Sequence, residues 1–598
     1  MHEKHDHMNH SRGPFDGTFV AFVAVVGFVI GEGLASDVAG QLASLAFGSH
    51  HVVPGEVGTG ATVFLRLWGH LGDPKLAWAP GARVFLPGPA AMWTALAASE
   101  LLVVATTVVA VRLVRRVQMS FGGPQGGGIK VGRGEVERRM GRKAVERHTA
   151  ALYGDDAAAQ REPLALGIDV ATGVRLFARS EDYVLAVGVP RVGKGEGFVI
   201  PAILRHQGPA VVTATRHDTY EDTYHVRAER GRVFVFDPQD LVPGAEKLRW
   251  NPVKGCEVPQ KAILRARGFA GFAGVGAAVD GGGAYWEQVA ASIIRSYLHA
   301  AALEGLGVER LLDWSRRPAA REPIKILSRN PGAAQGWDKD LAASAEVEPR
   351  HRDSIWATVR RAFDCFADPK VLEATRVDHD TFDPAAFLEE SGTIYLMGSP
   401  GAQHSVAPIV AALIEDVVDT ARRKAARSQR RRLESGLVLM LDECANIAPL
   451  GDLPKLVAEL GGLGITTAVI LQSVASARTI WGEAGERALR DLANITLVWG
   501  GQKDVAFLEE ISKLAGELDE LVETTTHNES GRSSSWSPRR MPVLPTGDIA
   551  NLAPNHAVVV SPHLRPRITR LPSWRDDRRL VDLVKSAGGT ASIGADRA

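Results

Sequence analysis

The feature that most constrains the fold is a short apolar segment followed by a glycine-rich loop and a second apolar run. The segment YVLAVG (Tyr183–Gly188) predicts a buried strand, and FVIPAILRH (Phe198–His206) predicts a helix. In the loop between them, Gly188, Gly193 and Lys194 match the pattern G-x-x-x-x-G-K. This pattern is typical of a phosphate-binding loop, in which glycines let backbone N–H groups approach phosphates and the lysine reaches the β and γ oxygens.

The loop departs from the usual pattern at one position. Gly195 follows the lysine, where Ser or Thr normally supplies a hydroxyl for magnesium. The shortened pattern also arises by chance in glycine-rich chains, so the loop alone is a moderate signal. The residues predicted to bind a nucleotide are Gly188, Val189, Pro190, Arg191, Val192, Gly193, Lys194, Gly195 and Glu196.

A second apolar run ends in two acids. GLVLML (Gly436–Leu441) predicts a buried parallel strand, and Asp442 and Glu443 come directly after it. Parallel α/β sheets place ligands at the carboxyl ends of their strands. Asp442 is therefore predicted to hold Mg²⁺, directly or through water, and Glu443 to orient and deprotonate the water that attacks ATP. Two solvated acids at a strand end are common alone, but they are unusual beside a phosphate loop.

A third apolar run, TTAVIL (Thr466–Leu471), ends in Gln472 and Ser473. A glutamine here can sense the γ-phosphate or the attacking water, and a polar cap on the strand explains it equally well. Further strand-like runs and one long helical run are Val211–Thr215, Val233–Pro238, Thr393–Gly398, Ile495–Gly500 and the helix Gln403–Arg423. Their alternation predicts an α/β fold built on one doubly wound sheet.

The alternation stops between about 253 and 387, where helical patterns such as SIWATVRRAFDCFAD (Ser354–Asp368) dominate. This predicts a mostly helical domain inserted into the nucleotide-binding domain. Arg422–Arg432 is a basic run, for which a solvated helix end and a nucleic-acid contact both stay open. Thr524–Arg540 is rich in Ser and Thr, which predicts an exposed loop.

Composition limits the remaining classes. The chain has 598 residues with 69 basic and 69 acidic side chains, so it is long enough for several domains and has no net charge to draw it to nucleic acid. Any polyanion site must therefore be local. Cys256, Cys365 and Cys444 have neither CxxC nor CxxH spacing, which excludes a disulfide framework and a cysteine-based zinc site.

Two N-terminal segments are apolar enough to predict membrane spans. Thr18–Gly31 reaches the roughly 20 residues of a span by continuing to Phe47, while Ala90–Val111 is interrupted by Glu100. A signal peptide is the alternative for the first segment, which lacks a clear cleavage site. The basic run after the second segment places the N-terminal tail and the rest of the chain in the cytoplasm, with 48–89 outside.

These features together resemble the type IV coupling proteins of conjugation and type IV secretion, also called the TraG/TraD type. The matching segments follow the family order over nearly the whole chain. They are the two spans, GVPRVGKGEGFVIPAIL, RVFVFDP, RWNP, YWE, LMLDECANIAPL and LQSVASARTIWG. Gly195 resembles a variant of the TraG branch. Val211–Glu221 departs from the Asp-x-Lys-Gly-Glu-like turn of many relatives, so no role of that lysine carries over.

The resemblance implies a membrane-anchored, RecA-like, hexameric P-loop ATPase of the cytoplasmic (inner) membrane, with ATP and Mg²⁺ as cofactors. Its partners would be a relaxase with single-stranded DNA, or effector proteins, and the components of the secretion channel. Catalytic roles fall on Lys194, Glu443 and Gln472. An arginine from a neighbouring subunit would complete the site, and the candidates that stay open are Arg478, Arg487 and Arg490.

The predicted domains follow from these boundaries. They are a membrane domain over 1–113, with spans at about 18–47 and 90–111 and an external loop at 48–89; a basic linker over 114–180; a RecA-like nucleotide-binding domain over 181–252 and 388–575; a helical inserted domain over 253–387; and a C-terminal tail over 576–598.

Two other functions stay open. A double-stranded DNA translocase of the FtsK type also joins spans to such a motor, but the helical insertion and Gly195 speak against it. A docking scaffold with little turnover is favoured by the missing hydroxyl and opposed by Asp442 and Glu443. A membrane transporter is excluded, because two spans cannot build a translocation path alone.

Overall fold

A computed structural model of the chain describes residues 35–53, 60–101, 131–274, 283–318, 320–376, 382–398, 403–528 and 531–590. The chain divides into two compact units, 1–125 and 126–598.

The first unit is a group of short helices around a small apolar core. Its elements are a helix over 35–47, α1 (Gly60–Leu67), a 3₁₀ turn (Pro74–Ala77), α2 (Pro80–Arg83) and a helix over 89–101. Trp78 is buried in this core together with Ala39 and Ala43. A side chain at Gly40 would lie 2.8 Å from Nε1 of the Trp78 indole, so a glycine there leaves room for the ring.

Among the residues that the structure describes, no helix has both the length and the apolarity needed to cross a membrane. The first predicted span, 18–47, is described only from residue 35, and the second, 90–111, only to residue 101. The remaining residues of both spans lie outside the described ranges, and both spans stay predictions.

The second unit contains thirteen strands in its described residues. They are β1 (Ala165–Asp169), β2 (Arg175–Phe177), β3 (Tyr183–Val187), β4 (Ala210–Ala214), β5 (Val233–Phe236), β6 (Thr393–Met397), β7 (Leu437–Leu441), β8 (Ile465–Leu471), β9 (Ile495–Trp499), β10 (Glu517–Asn528), β11 (Gly531–Pro542), β12 (His556–Val560) and β13 (Arg567–Arg570). Eleven of them form one sheet in the order β2-β1-β13-β12-β9-β3-β8-β7-β4-β6-β5.

The seven neighbouring strands from β9 to β5 run parallel. Most of them are buried along their whole length, as expected for parallel strands covered on both faces. Alternate residues of β3 belong to different cores, because Leu185 and Val187 join one apolar cluster while Val184 and Ala186 join another. The prediction of an α/β fold on a large, mainly parallel sheet is confirmed.

Four antiparallel strands extend the sheet beyond β9, in the order β12, β13, β1 and β2. β1 comes from the segment 114–180, and its Ile168 lies opposite Arg570 of β13. Asp169 is buried and accepts two hydrogen bonds of 2.8 Å from Arg567. The beginning and the end of the second unit therefore meet in one sheet.

Helices of the second unit connect the strands. Outside the interval between β5 and β6 they are α3 (Arg133–Met140), α4 (Arg142–Tyr153), α5 (Asp155–Ala159), α6 (Ile200–Arg205), α7 (Asp218–Arg230), α16 (Gln403–Arg427), α17 (Cys444–Ile447), α18 (Leu453–Leu460), α19 (Val474–Asp491), α20 (Val505–Ala515), α21 (Thr546–Ala550) and α22 (Arg578–Ser586).

The described residues between β5 and β6 are mainly helical. The helices are α8 (Pro259–Gly274), α9 (Gly283–Leu303), α10 (Val308–Ser315), α11 (Glu322–Arg329), α12 (Trp337–Glu346), α13 (Pro349–Phe363), α14 (Pro369–Ala374) and α15 (Pro384–Glu389). A buried ion pair ties this region to α16, because Asp416 lies 2.9 Å from Arg265 and 3.3 Å from Lys261.

One local prediction is wrong. Thr524–Arg540 is not a loop, because β10 and β11 pair along 12 residues each as an antiparallel hairpin. The Ser and Thr content suggested a loop, but Thr is β-branched and fits a strand well, so the composition alone was a poor guide.

Candidate nucleotide site

The sheet order brings the predicted site residues to one edge. β8 lies between β3 and β7, and all three strands are parallel. Their carboxyl ends therefore meet, and the Gly188 N–H extends the pairing by donating to the Leu471 carbonyl at 3.0 Å. Lys194, Asp442 and Gln472 follow these three strand ends, so residues far apart in sequence share one edge.

The loop after β3 has the shape of an anion-binding turn. Arg191 and Gly193 have left-handed φ angles of 67° and 92°. The Lys194 Nζ turns back over the loop and donates to the Gly188 carbonyl. A Cβ on Gly188 would lie 3.0 Å from Cδ of Lys194, so a larger residue would press on the lysine side chain.

The loop leads into a π-helical turn over Gly195–Val199 and then into α6. The Gly197 N–H donates to the Gly193 carbonyl at 2.9 Å, which begins the turn. A Cβ on Gly195 would meet no atom within 4 Å. Steric crowding therefore does not explain why a hydroxyl side chain is missing at this position.

The charges of the site shift one another's proton affinities. Burial lowers the pKa of Lys194, and the nearby Asp442 and Glu443 carboxylates partly oppose that change. Burial raises the pKa of Asp442 to about 6; Lys194 works against this rise and Glu443 adds to it. Lys194 forms no ion pair with the acids in the part of the chain that the structure describes, so the three charges face one another without contact.

The two acids are held in different ways. The Asp442 carbonyl accepts a 2.6 Å hydrogen bond from Oγ1 of Thr213, and its Oδ1 accepts one of 3.0 Å from the Glu443 N–H. Glu443 has a left-handed φ of 50°, an uncommon conformation for a residue with a side chain. Its Oε1 accepts a 2.8 Å hydrogen bond from Nε2 of Gln472. The predicted glutamine thus contacts the predicted base.

A second glutamine supports this contact and was missed by the sequence reasoning. Gln502 is only 4% exposed, and its Nε2 donates to the Gln472 carbonyl at 3.3 Å. Gly501, just before it, has a φ of 83° and packs against Val189 of the loop. The signal was present, since a polar residue follows two glycines at the end of the β9 run.

The other flank of the loop is formed by the C-terminal part of the chain. The Asn555 N–H donates to the Val192 carbonyl at 3.1 Å, and the Asn555 carbonyl accepts from the Leu571 N–H at 2.7 Å. Ser573 Oγ donates to Oε2 of Glu196 at 2.9 Å. The contacts to Val192 and Glu196 join residues more than 350 positions apart, and no sequence motif predicts them.

The donor chemistry fits Mg²⁺ held together with a nucleotide. Mg²⁺ prefers oxygen ligands and is usually bound by one or two carboxylates plus substrate phosphates, with water completing its shell. Asp442 offers such a carboxylate, and its raised pKa shows that a cation there would relieve an electrostatic cost. Within the described ranges, no group of three or more His, Cys, Asp or Glu side chains could hold a metal without a nucleotide.

The three arginines that could act across a subunit boundary differ in their partners. Arg490 contacts Glu486 and Glu510, and its side chain is 17% exposed. Arg478 lies 3.3 Å from both Glu486 and Asp504. Arg487 is 77% exposed and has a 3.6 Å contact to Asp491 on its own helix.

The basic run before β7 is largely neutralised. Four of its seven cations contact acids: Arg422 and Arg423 contact Asp419, Lys424 contacts Glu389, and Arg432 contacts Glu181. This pairing favours a solvated helix end over a nucleic-acid contact.

Two family models match the chain. A model described as type IV secretory system conjugative DNA transfer matches residues 139–265, which include the phosphate loop. A model described as the TraM recognition site of TraD and TraG matches residues 436–554, which include Asp442, Glu443 and Gln472. The chain belongs to the type IV coupling proteins.

Similar coupling proteins extend the comparison. Protein VirD4 of Agrobacterium fabrum (strain C58) is 23% identical over 452 residues, covering 69% of this chain and 62% of that protein. Protein VirD4 of Rhizobium rhizogenes is 24% identical over 441 residues, covering 67% and 56%. The chain thus matches less than two thirds of the length of these relatives.

A solved coupling protein has the same fold. The bacterial conjugative coupling protein TrwBdeltaN70, in its unbound monoclinic form, aligns with a TM-score of 0.50 and 18% identity, covering 72% of this chain and 91% of that one. At this identity the likeness concerns the fold. The roles of the individual site residues stay predictions.

Proposed function

We propose that this coupling protein is a RecA-like ATPase that binds ATP with Mg²⁺ and uses hydrolysis to pass substrates to a type IV secretion or conjugation channel. The observation that supports the proposal best is the meeting of Lys194, Asp442 and Glu443 at one sheet edge, with Gln472 hydrogen-bonded to Glu443. A phosphate loop beside a strand-end acid pair is the arrangement that phosphoryl transfer to water requires.

Each residue has a distinct part in this proposal. The backbone N–H groups of 189–195 bind the phosphates, and Lys194 leaves the Gly188 carbonyl to contact the β and γ oxygens. Asp442 would hold Mg²⁺, which would supply positive charge against the phosphates when bound. Glu443 accepts the proton of the attacking water, while Gln472 fixes the direction of the Glu443 carboxylate.

Site variants test the proposal. Lys194→Ala should weaken nucleotide binding, whereas Glu443→Gln should leave binding nearly intact and lower turnover by on the order of a hundredfold or more. Glu509→Gln, on the exposed surface of α20, is the control and should keep full turnover. A Glu443→Gln protein with unchanged turnover would remove the assignment of the base, and a wild-type protein that binds ATP without hydrolysing it would support the docking scaffold instead.

We propose that the chain assembles into a ring, a hexamer by the family resemblance. A single nucleotide domain needs an arginine from a neighbour to complete it, and Arg487 is the most available of the three candidates because its side chain is the most exposed. Arg487→Ala should lower the ATPase rate at high protein concentration, while the isolated protomer binds ATP as before. An Arg487→Ala protein with the full concentration-dependent rate excludes this arginine.

The substrates and the location follow the family resemblance. The cargo would be single-stranded DNA with its relaxase, or effector proteins, and the chain would be anchored in the inner membrane by the two predicted spans. The test is the ATPase rate per protomer against protein concentration, measured without DNA, with single-stranded DNA and with double-stranded DNA, at low and moderate salt. A rate that ignores concentration and DNA contradicts the ring motor, and a response limited to double-stranded DNA supports the FtsK-type translocase.

A further inference from the structure

The order of the strands gives the proposed nucleotide site two unequal sides. Asp442, Glu443 and Gln472 follow β7 and β8, which lie on one side of β3. β9, β12 and β13 lie on the other side. The γ-phosphate must face the acids, so a nucleotide on this loop directs its nucleoside toward the β9–β13 side.

The side chain of Asn555 lies on that second side, next to the loop. Asn555 precedes β12, which is antiparallel to β9, so it lies at the same sheet edge as the phosphate loop. Its backbone is fixed at both ends, by the Val192 carbonyl at 3.1 Å and the Leu571 N–H at 2.7 Å. A Cβ on Gly193 would lie 1.7 Å from Oδ1 of Asn555, so the carboxamide lies directly against the loop.

The conformation of Asn555 is also unusual. Its φ is 61°, in the left-handed region that few residues with side chains adopt, although asparagine tolerates it better than most. Its carboxamide has no hydrogen-bond partner within the described ranges. By contrast, Asn551, four residues earlier, donates to the Gly547 carbonyl at 2.8 Å. A strained, fixed residue therefore presents an unused donor and acceptor beside the phosphate loop.

We propose that the Asn555 carboxamide binds the nucleoside of the bound nucleotide, at the edge of its purine ring. A carboxamide can donate one hydrogen bond and accept another, and purine edges offer complementary pairs of groups. This inference rests on the proposed nucleotide site and assigns to it the recognition of the base, which the phosphate loop and the strand-end acids do not provide.

Two ligands separate recognition of the base from recognition of phosphate. The full chain is titrated calorimetrically with Mg²⁺-ATP and with Mg²⁺-tripolyphosphate, which has the phosphates and no nucleoside. Asn555→Gly removes the carboxamide and accepts the left-handed φ, so the fold should be kept. It should weaken ATP binding by about tenfold, the value of one or two neutral hydrogen bonds, and leave tripolyphosphate binding unchanged. Lys194→Ala should weaken both.

A second variant tests which base the side chain prefers. Asn555→Asp retains the shape but loses the donor, so it should weaken ATP binding more than GTP binding, because guanine offers two N–H donors to a carboxylate. Asn551→Ala is the matched control and should bind all three ligands as wild type does.

The outcomes are distinct. If Asn555→Gly loses ATP and tripolyphosphate equally, Asn555 supports the shape of the loop and the inference is overturned. An Asn555→Gly protein with unchanged ATP affinity overturns it as well. A wild-type protein that binds neither ligand overturns the proposed function itself, and the inference with it, whereas one that binds ATP without turnover leaves the base contact measurable.

Discussion

Among the described residues of the second unit, two charged clusters are arranged in opposite ways: Asp416 is buried, and Asp442 is half-buried. Asp416, between the helical region and α16, contacts Arg265 at 2.9 Å, Lys261 at 3.3 Å and Nε1 of Trp250 at 3.2 Å. Asp442, at the sheet edge, faces Lys194 and Glu443 and forms no ion pair with any described residue. The charge of Asp416 is balanced by ion pairs, whereas that of Asp442 has no ion-pair partner among the described residues.

The pKa values of Asp416 and Asp442 differ accordingly. Burial alone would raise the pKa of Asp416, but Arg265 and Lys261 lower it below its ordinary value. Burial raises the pKa of Asp442 to about 6, and Lys194 offsets only part of that rise. Paired buried charge holds a structure in place, whereas unpaired buried charge is a cost that a ligand can relieve. The comparison indicates a structural role for the first cluster and agrees with the proposed binding role of the second.

The largest expected effect is on the paired cluster. Arg265→Ala leaves the Asp416 carboxylate buried without its main partner, so the free energy of unfolding should fall by about 3–5 kcal/mol. Arg267→Ala, an exposed arginine on the same helix, is the control and should change it by about 0.5 kcal/mol or less. Chemical denaturation measures both. A similar decrease in the free energy of unfolding for the two variants would mean that the buried ion pair does not stabilise the fold.

Asp442→Asn should act in the opposite direction. The variant should lose ATPase activity, yet its ligand-free stability at pH 7 should equal or exceed that of wild type, because an unpaired buried charge is gone. Circular dichroism during denaturation, beside a turnover assay, checks both parts. A clear loss of stability would show that Asp442 is structural and would break the comparison.

The pH dependence sharpens the same contrast. Asp442 has a raised pKa, so its stabilising contribution is present below pH 4 and is lost as the pH rises through about 6, a change of about 3 kcal/mol. Asp442→Asn should remove this fall. Asp416 has a lowered pKa, so its contribution is present above pH 4 and is lost as the pH falls further. Unfolding curves from pH 3 to pH 8 for both Asn variants test the signs, and equal slopes would contradict the assignment.

The smallest effect is expected from restoring a hydroxyl. Gly195→Ser adds a side chain where no atom lies within 4 Å, so it should fold normally and lower the Mg²⁺ concentration for half-maximal ATPase activity a few-fold, by about 0.5–1 kcal/mol. Gly197→Ser is the contrasting variant. A Cβ at Gly197 would lie 2.6 Å from the Leu571 carbonyl oxygen, so this substitution should destabilise the loop. An unchanged Mg²⁺ requirement in Gly195→Ser would place the metal away from this position.

The sequence predicts the parts of the fold in which local pattern and tertiary position agree. Buried parallel strands are continuous apolar runs, so their bounds and the acids after β7 could be read directly. Gln502 was missed although it follows two glycines at the end of the β9 run, whereas Asn555 could not be assigned, because its place depends on which strands pair. β1 and β13 are joined across about 400 residues, and no local signal specifies that pairing. The β10–β11 hairpin was missed because its composition resembles that of a loop.

The pairing of β1 with β13 has a mechanical consequence. If the N-terminal segment is the membrane tether proposed above, a pull on it would enter the second unit through α3, α4 and α5 and reach the sheet at β1. β1 is held there by the β13 pairing and by the Asp169–Arg567 contact, whose two oxygens both lie 2.8 Å from guanidinium nitrogens. The Asn555 backbone connects to the same strand pair through Leu571. Leu571, directly after β13, is two hydrogen bonds from the phosphate loop, so tension on the proposed tether and occupancy of the loop would act on one short piece of chain.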